Sequence, residues 1–354
     1  MHAVDLFGDE DTRASAETVT VAPGDGELDM RLLPEIVQRL WAQYRPLGFV
    51  YGTGFEHCPE VLMQLCPPEK LFGNTPDVVH RVKDPAFLFP LLDRLGIAHP
   101  KSAWTGAALE PGWLVKRVGG AGGAHISRAP PGLRLASGYY RQRELTGRSM
   151  SALFLADGDS AELLGMCGHW CVQPDLLPAF AHSGIVRVGS DAVDFQRLRG
   201  IVAAIVKACQ LRGLCGIDFI CDPAGTIYVL EINPRPPASF ELYQAEESMF
   251  AAHIHACQGH LSRPIVTPRS RAMVVCYAPT DLVVPQAFVW PGWAADRPRV
   301  ASRISARSPL CTVFAEGDSA ADARHLAQRR AHQIEALFAE ANAGESIYDR
   351  KRRK

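Results

Sequence analysis

Two apolar segments, each broken by acid, limit this chain more than any other feature. Gly216-Ile217-Asp218-Phe219-Ile220 precedes Val229-Leu230-Glu231-Ile232-Asn233-Pro234-Arg235, with Asp222-Pro223-Ala224-Gly225 between them. The spacing predicts strands over 216–221 and 226–232 joined by a turn. Glu231 and Asn233 are two residues apart, so they share one face of their strand. If the strands pair as a hairpin, Asp218 can converge on that same face. Two carboxylates inside a sheet are costly to desolvate unless a cation offsets them. Carboxylate and amide oxygens are hard ligands suited to Mg²⁺, which keeps phosphate oxygens and waters in its shell. Arg235, two beyond Asn233, is expected to point the same way, where it stabilises a transferring phosphoryl group or holds a carboxylate. The competing reading is a structural Asp and Glu paired with arginines.

A second feature lies a hundred residues earlier. Trp113-Leu114-Val115-Lys116 reads as a strand running into Gly119-Gly120-Ala121-Gly122-Gly123, followed by His125-Ile126. Glycines let backbone N–H groups approach an anion closely, and the lysine adds a point charge. No Gly-Lys-Ser/Thr closes the cluster, and neither a G-x-G-x-x-G spacing nor a following helix is present. The pattern is that of a hairpin flap, with 125–126 as its returning strand, over a triphosphate. A mobile glycine hairpin without a ligand is the plain alternative.

Elsewhere the chain alternates. A strand is expected over 3–7, an acidic loop over 8–12 and a turn at Pro23-Gly24-Asp25-Gly26. A helix is expected over 32–44, stopped by Gly48, then a strand at 49–51 and a helix at 61–65. This is the pattern of a small parallel α/β unit. A strand at the third residue leaves either a minimal unit or a chain short at its N-terminus. Further along, the pattern predicts a helix over 87–95, strands over 151–156 and 162–167, and a helix over 193–211 closed by Arg212-Gly213. A strand over 272–277 and a helix from an N-cap at Ser319 to about Ala341 complete it. The basic tail Arg350 to Lys354 reads as a solvated end, with binding to an anionic partner as the minority reading.

Composition narrows the class. The chain has 354 residues, enough for about two or three units at roughly 100–200 residues each. It is 47% hydrophobic and 21% charged, a globular balance. A net charge of -1 demands no nucleic-acid or anionic-membrane partner. No apolar run is long enough to span a bilayer, and no basic-then-apolar leader opens the chain. Most of the ten cysteines sit singly among apolar residues. Cys167 and Cys171 flank His169 without a second pair, so zinc is a weak reading. Reduced thiols and a cytoplasmic location are expected.

Together, the flap after Lys116, Gly-Ile-Asp-Phe and Glu-Ile-Asn-Pro-Arg resemble the ATP-grasp superfamily over Asn74 to Gln258. The resemblance implies an α/β and α+β chain that clamps ATP between two subdomains. It implies a Rossmann-like, shortened pre-ATP-grasp domain at 1–78, the ATP-grasp domain at 79–260, and closing strands and a helix at 261–354. Matching position by position, it implies phosphate binding by Lys116 and Lys83 and a flap of Gly119, Gly120, Gly122 and Gly123. It further implies an adenine-facing hinge at Gln142, Arg143, Glu144 and Leu145. There Arg143 sits near the usual acidic position, with Glu144 one place on. Asp218, Glu231 and Asn233 match the ligands of Mg²⁺, with Mn²⁺ as the substitute, and Arg235 and Lys116 match the catalytic cations. The closing segment Pro309 to Gly317 is similar to that of carboxylase-like members, but no biotin-carrier Met-Lys-Met occurs.

The activity so implied is ATP-dependent joining of a small-molecule carboxylate to an amine through an acyl-phosphate, releasing ADP and phosphate. The layout is also similar to ATP-grasp proteins of methanopterin- and methanofuran-type one-carbon cofactor biosynthesis and to tyramine–glutamate ligases. That points to a glutamate-like carboxylate and a small amine such as tyramine, with a homodimer as an admissible assembly. Two alternatives stand beside it: a bicarbonate-using carboxylase-like enzyme and a non-catalytic ATP-binding protein. Glu56, at the end of the 49–51 segment, is expected either to hold an amine or to be a solvated loop residue. His169 and Trp170 either line an acceptor pocket or pack in a strand.

Overall fold

The computed structural model describes residues 1–22, 28–105, 110–173, 175–243, 248–264 and 269–352, with backbone alone from 342 onward. The turn expected at Pro23 to Gly26 lies outside the described residues, as do Arg353 and Lys354.

An eight-stranded sheet organises the molecule. Its order is Ile227–Asn233, Arg212–Cys221, Arg148–Asp157, Ala161–Trp170, Gly184–Val188, Ser270–Tyr277, Pro309–Gly317 and Ala294–Ala295. Neighbours pair antiparallel throughout. The sheet runs without a break past residue 260. A four-stranded antiparallel sheet of Ser102–Ala103, Tyr139–Arg143, Trp113–Arg117 and Ser127–Arg128 carries the glycine loop. At the N-terminus His2–Asp5 pairs parallel with Thr18–Val21.

Alternation decides which face of the large sheet is covered by what. Met150, Ala152, Phe154 and Ala156 fall on one face with Cys215, Ile217 and Phe219. Helices Pro76–Lys83, Pro85–Arg94 and Phe195–Cys209 pack there. In the last of these Leu198, Ile201, Val202, Ile205, Val206 and Cys209 recur at helical spacing and are buried. Leu153, Leu155, Cys167, Ile185 and Leu214 fall on the other face, under helix Met249–Cys257. Helix Ala320–Arg352 covers the far strands through Ala323, Ala327, Ile334 and Phe338. Each fully buried Leu, Ile or Phe contributes about 1.5–3 kcal/mol of transfer free energy.

Several expectations are corrected. The acidic stretch at 8–12 is not a loop. Asp9 accepts the Thr12 N–H at 2.8 Å and starts a helix, Glu10–Ser15. Residues 49–51 form no strand but a single parallel bridge, Phe49 to Leu71. The helix ends not at Gly48 but at left-handed Arg45, after Leu33–Tyr44. The flap returns through Ser127–Arg128, not 125–126. The long helix ends at Cys209, and Arg212 and Gly213, expected as a turn, open the next strand. Ser319 does cap the last helix, accepting the Asp322 N–H at 3.1 Å, and that helix runs beyond Ala341.

Candidate active site

Asp218 and Glu231 stand directly opposite each other in the hairpin. The ladder shifts between Asp218 and Phe219, so that both carboxylates keep one face while Phe219 turns into the core. Asn233 joins them, its Nδ2 donating to Asp218 Oδ2 at 3.1 Å. Lys83 completes the group, with Nζ 3.1 Å from Asn233 Oδ1 and 3.5 Å from Glu231 Oε2. Its position follows from local sequence. Asp84 ends Pro76–Lys83 and caps the next helix by accepting the Ala86 N–H, which leaves Lys83 at the junction.

The electrostatics follow from this crowding. Burial and the facing Glu231 push Asp218 up to about 8. Burial also works to raise Glu231, but Lys83, the Asp218 hydrogen bond and Lys116 draw it down to about 2. Alone, the pair prefers to hold one negative charge. A divalent cation favours two. Two carboxylates and one amide oxygen on a single face form a hard donor set that fits Mg²⁺ together with phosphate oxygens. Lys116 is buried in the strand opposite Tyr140. Burial lowers its pKa, opposed by Glu231 and Asp218, the two carboxylates that act on it most.

The glycine loop rests on two protein walls. A Cβ on Gly119 would sit 2.9 Å from the Glu56 carbonyl oxygen, and one on Gly123 would collide with the carbonyl of Phe180. Both have positive φ, at 70° and 76°. Gly120 lies against the His125 ring, and the Gly122 carbonyl accepts the His182 N–H at 2.9 Å.

Other expected residues have side-chain contacts outside the group of Asp218, Glu231, Asn233 and Lys83. Gln142 is buried in Tyr139–Arg143, with Nε2 meeting no partner among the described residues. Arg143 lies over Trp113 and donates to the Pro111 carbonyl at 2.8 Å. Glu144 is ion-paired with Arg128 at 2.7 Å, and Leu145 is half-buried beyond the strand. Arg235 turns toward the N-terminal unit, where its Nε meets Glu56 Oε1 at 2.5 Å. Glu56 is therefore not a solvated loop residue. It is buried and also accepts the Gly54 N–H at 2.7 Å. Arg235 and Lys83 hold its carboxyl below the usual range although burial opposes them.

His169 Nε2 lies 2.8 Å from Ser151 Oγ, and Ser151 faces Asp218 across the sheet. Trp170 packs in the C-terminal core beneath Arg324. Cys167 contacts Tyr243 and Cys171 is exposed, so these two do not gather around His169. Sequence reasoning missed Ser151 and His182, which no motif marks. It also missed what Asn74 does: Nδ2 donates to the Pro234 carbonyl at 2.8 Å and Oδ1 accepts the Arg212 N–H at 2.8 Å. Asn74 thus fixes the corner that carries Arg235.

Residues 82–239 match the ATP-grasp domain. No curated protein matches the chain in sequence. Among solved structures, the biotin carboxylase domain of Hydrogenobacter thermophilus 2-oxoglutarate carboxylase, bound to MgADP and bicarbonate, is similar at TM-score 0.68 and 12% identity, covering 91% of this chain and 82% of that one. N5-carboxyaminoimidazole ribonucleotide synthetase of Thermotoga maritima is similar at 0.62 and 14%, covering 93% and 90%. L-amino acid ligase of Bacillus licheniformis is similar at 0.62 and 13%, covering 90% and 86%. The chain has the ATP-grasp fold, α+β, with a small parallel sheet at its N-terminus. Among the described residues no helix is long and apolar enough to cross a membrane.

Proposed function

We propose that this chain is an Mg²⁺-dependent, ATP-consuming ligase that joins a carboxylate to an amine through an acyl-phosphate. The observation that carries this reading is the single face shared by Asp218, Glu231 and Asn233, with Lys83 bonded to two of them. Asp218, Glu231 and Asn233 would hold Mg²⁺, which supplies charge neutralisation for the phosphates. Lys83 and Lys116 bind phosphate oxygens. Arg235, braced by Glu56, meets charge on the migrating phosphoryl group or on the carboxylate. The loop of Gly119, Gly120, Gly122 and Gly123 covers the phosphates and keeps water from the acyl-phosphate. Gln142, Arg143, Glu144 and Leu145 form the adenine side, with contacts from the backbone of 144–145 and from the Gln142 amide.

Glutamate and a small amine such as tyramine, in one-carbon cofactor synthesis, are the specific substrates we put forward. They rest on sequence layout alone. The division at residues 78 and 260, a cytoplasmic location and a homodimer belong to the same proposal. A second reading, with bicarbonate as the carboxylate, is favoured by the likeness to a biotin carboxylase domain solved with bicarbonate. The test is ADP release from MgATP across a matrix of carboxylates and amines, including glutamate with tyramine and bicarbonate alone. ADP that appears with one carboxylate–amine pair supports the ligase and names its substrates. ADP with bicarbonate and no amine moves the assignment to the second reading, and silence across the matrix with ATP still bound removes both.

A further inference from the structure

Cys276 and Cys311 face each other across the antiparallel ladder of Ser270–Tyr277 and Pro309–Gly317. Directly opposed residues in such a ladder share one sheet face. Their Cα atoms lie about 4.5 Å or about 5.5 Å apart, depending on whether they exchange hydrogen bonds. A disulfide spans Cα atoms about 4.4–6.8 Å apart, so either kind of position admits one. The ladder shifts immediately after Cys276, a place where strand twist adapts. Both residues are free cysteines at 3% and 2% exposure, in the core that also holds Ile334 and Phe338 of the last helix. None of the other cysteines stands opposite a cysteine in a ladder. Cys167 faces Ser151 and Arg187, Cys215 faces Phe154, Cys221 faces Arg148 and Ile227, and the rest lie outside strands.

The pair sits at the neck of an excursion. From 278 to 308 the chain loops out and returns, held by short pairings: Leu282–Val283 with Arg303–Ile304, and Ala294–Ala295 with Thr312 and Val313. Across the neck the Arg307 N–H donates to the Ala278 carbonyl at 2.7 Å, and the Ala278 N–H to the Ser308 carbonyl at 3.0 Å. The excursion carries Arg297, whose guanidinium pairs with Asp11 and whose carbonyl accepts the Glu10 N–H at 2.9 Å. It is therefore the seat of the N-terminal helix Glu10–Ser15.

We propose that Cys276 and Cys311 are a reversible oxidation site, joined by hydrogen peroxide into a cross-strand disulfide that locks the 278–308 excursion. One thiolate attacks the peroxide, the O–O bond breaks, and hydroxide leaves to give a sulfenic acid. The second sulfur displaces the sulfenic oxygen, so the S–O bond breaks as the S–S bond forms. Two thiols and one peroxide thus become one disulfide and two waters. The neighbouring Cys276 thiol and burial hold Cys311 well above the ordinary thiol value. Little thiolate is present, so the reaction is slow while the last helix is seated. Once formed, the cross-link restricts the unfolded chain and ties the two sides of the neck. This inference is independent of the ligase reading.

The experiment treats the full, folded chain with hydrogen peroxide, blocks the remaining thiols with N-ethylmaleimide and maps tryptic peptides by mass. Cleavage after Arg271 and Arg299, and after Arg307 and Arg324, places the two cysteines on separate peptides. These two peptides are expected to be joined, lighter by two hydrogens, and to separate again in dithiothreitol. The oxidised wild type should melt about 2 °C or more above the reduced protein. Its amide exchange should slow across 278–308. Cys276→Ala and Cys311→Ala should show neither the joined peptides nor the rise. Three results each overturn the proposal: no joined peptides from the folded chain, joined peptides only after unfolding in urea, or a joined chain with unchanged or lower Tm and unchanged exchange. The first two need only the wild type, so they hold whether or not the variants fold.

Discussion

Arg235 and Glu56 form an ion pair at 2.5 Å, and both side chains are largely withdrawn from water. It ties the loop after residue 51 to the end of the Ile227–Asn233 strand. Breaking a buried pair from one side leaves an unpaired charge, at a cost of about 3–5 kcal/mol. Glu56→Gln should therefore lower stability by an amount near that range. Glu56→Gln with Arg235→Gln should recover part of the loss. Urea unfolding of the two single variants and the double variant measures the coupling, and strictly additive losses would show that the pair does not act as one.

Glu231→Gln should abolish ATP turnover and leave the fold intact. The substitution keeps the shape but removes one of the two charges able to hold a divalent cation. Circular dichroism should be unchanged, while the rise in Tm on adding MgATP should shrink. Normal turnover in this variant would sink the metal assignment.

Lys116→Met should raise the KM for ATP and lower kcat, on the order of 10²-fold in kcat/KM, as expected for losing one preorganised charge at a phosphoryl group. The buried site accepts Met without a polar orphan, so stability should hold. Unchanged kinetics would remove Lys116 from the phosphate site. Lys83→Met should differ, because it also leaves Glu231 and Asn233 without their shared donor.

Gly123→Ala tests whether the flap must sit on the 175–183 loop. The added methyl meets the Phe180 carbonyl, and the residue is at φ 76°. Strain at a left-handed non-glycine residue costs on the order of 1–3 kcal/mol when the surroundings enforce it. Because the loop can lift instead, the expected result is a small loss of Tm with more ADP formed per product. Tight coupling of ADP to product in this variant would show that closure does not depend on that contact.

The hairpin of Asp218 and Glu231 was legible because acid in an apolar alternation leaves few physical options. The strand that bears Lys116 and the helix capped by Ser319 were legible from ordinary spacing and capping. The Arg235–Glu56 pair could not be read in advance, because alternation ends with the strand at Asn233 and its partner lies 179 residues earlier in the chain. The Glu10–Ser15 helix was missed although Asp9 stands three residues before Thr12, a capping spacing outweighed by the acidic composition of the segment. His182 could not be read from sequence, since its place depends on a flap sixty residues earlier in the chain.

Acid should weaken the protein partly through His169. Burial and the neighbouring His182 push its pKa down to about 3, below the ordinary value of 6.5. The folded state therefore binds fewer protons than the unfolded chain between those values. This stability is present above about pH 6.5 and is lost progressively as pH falls toward 3. His182 acts in the same direction. His169→Gln keeps a hydrogen-bonding partner for Ser151 but does not titrate. Its urea midpoint should fall less between pH 7 and pH 5 than that of wild type, even if it starts lower. Equal falls would mean that the ring titrates alike in the folded and unfolded states, and His169 would no longer be a neutral group beside the carboxylate face.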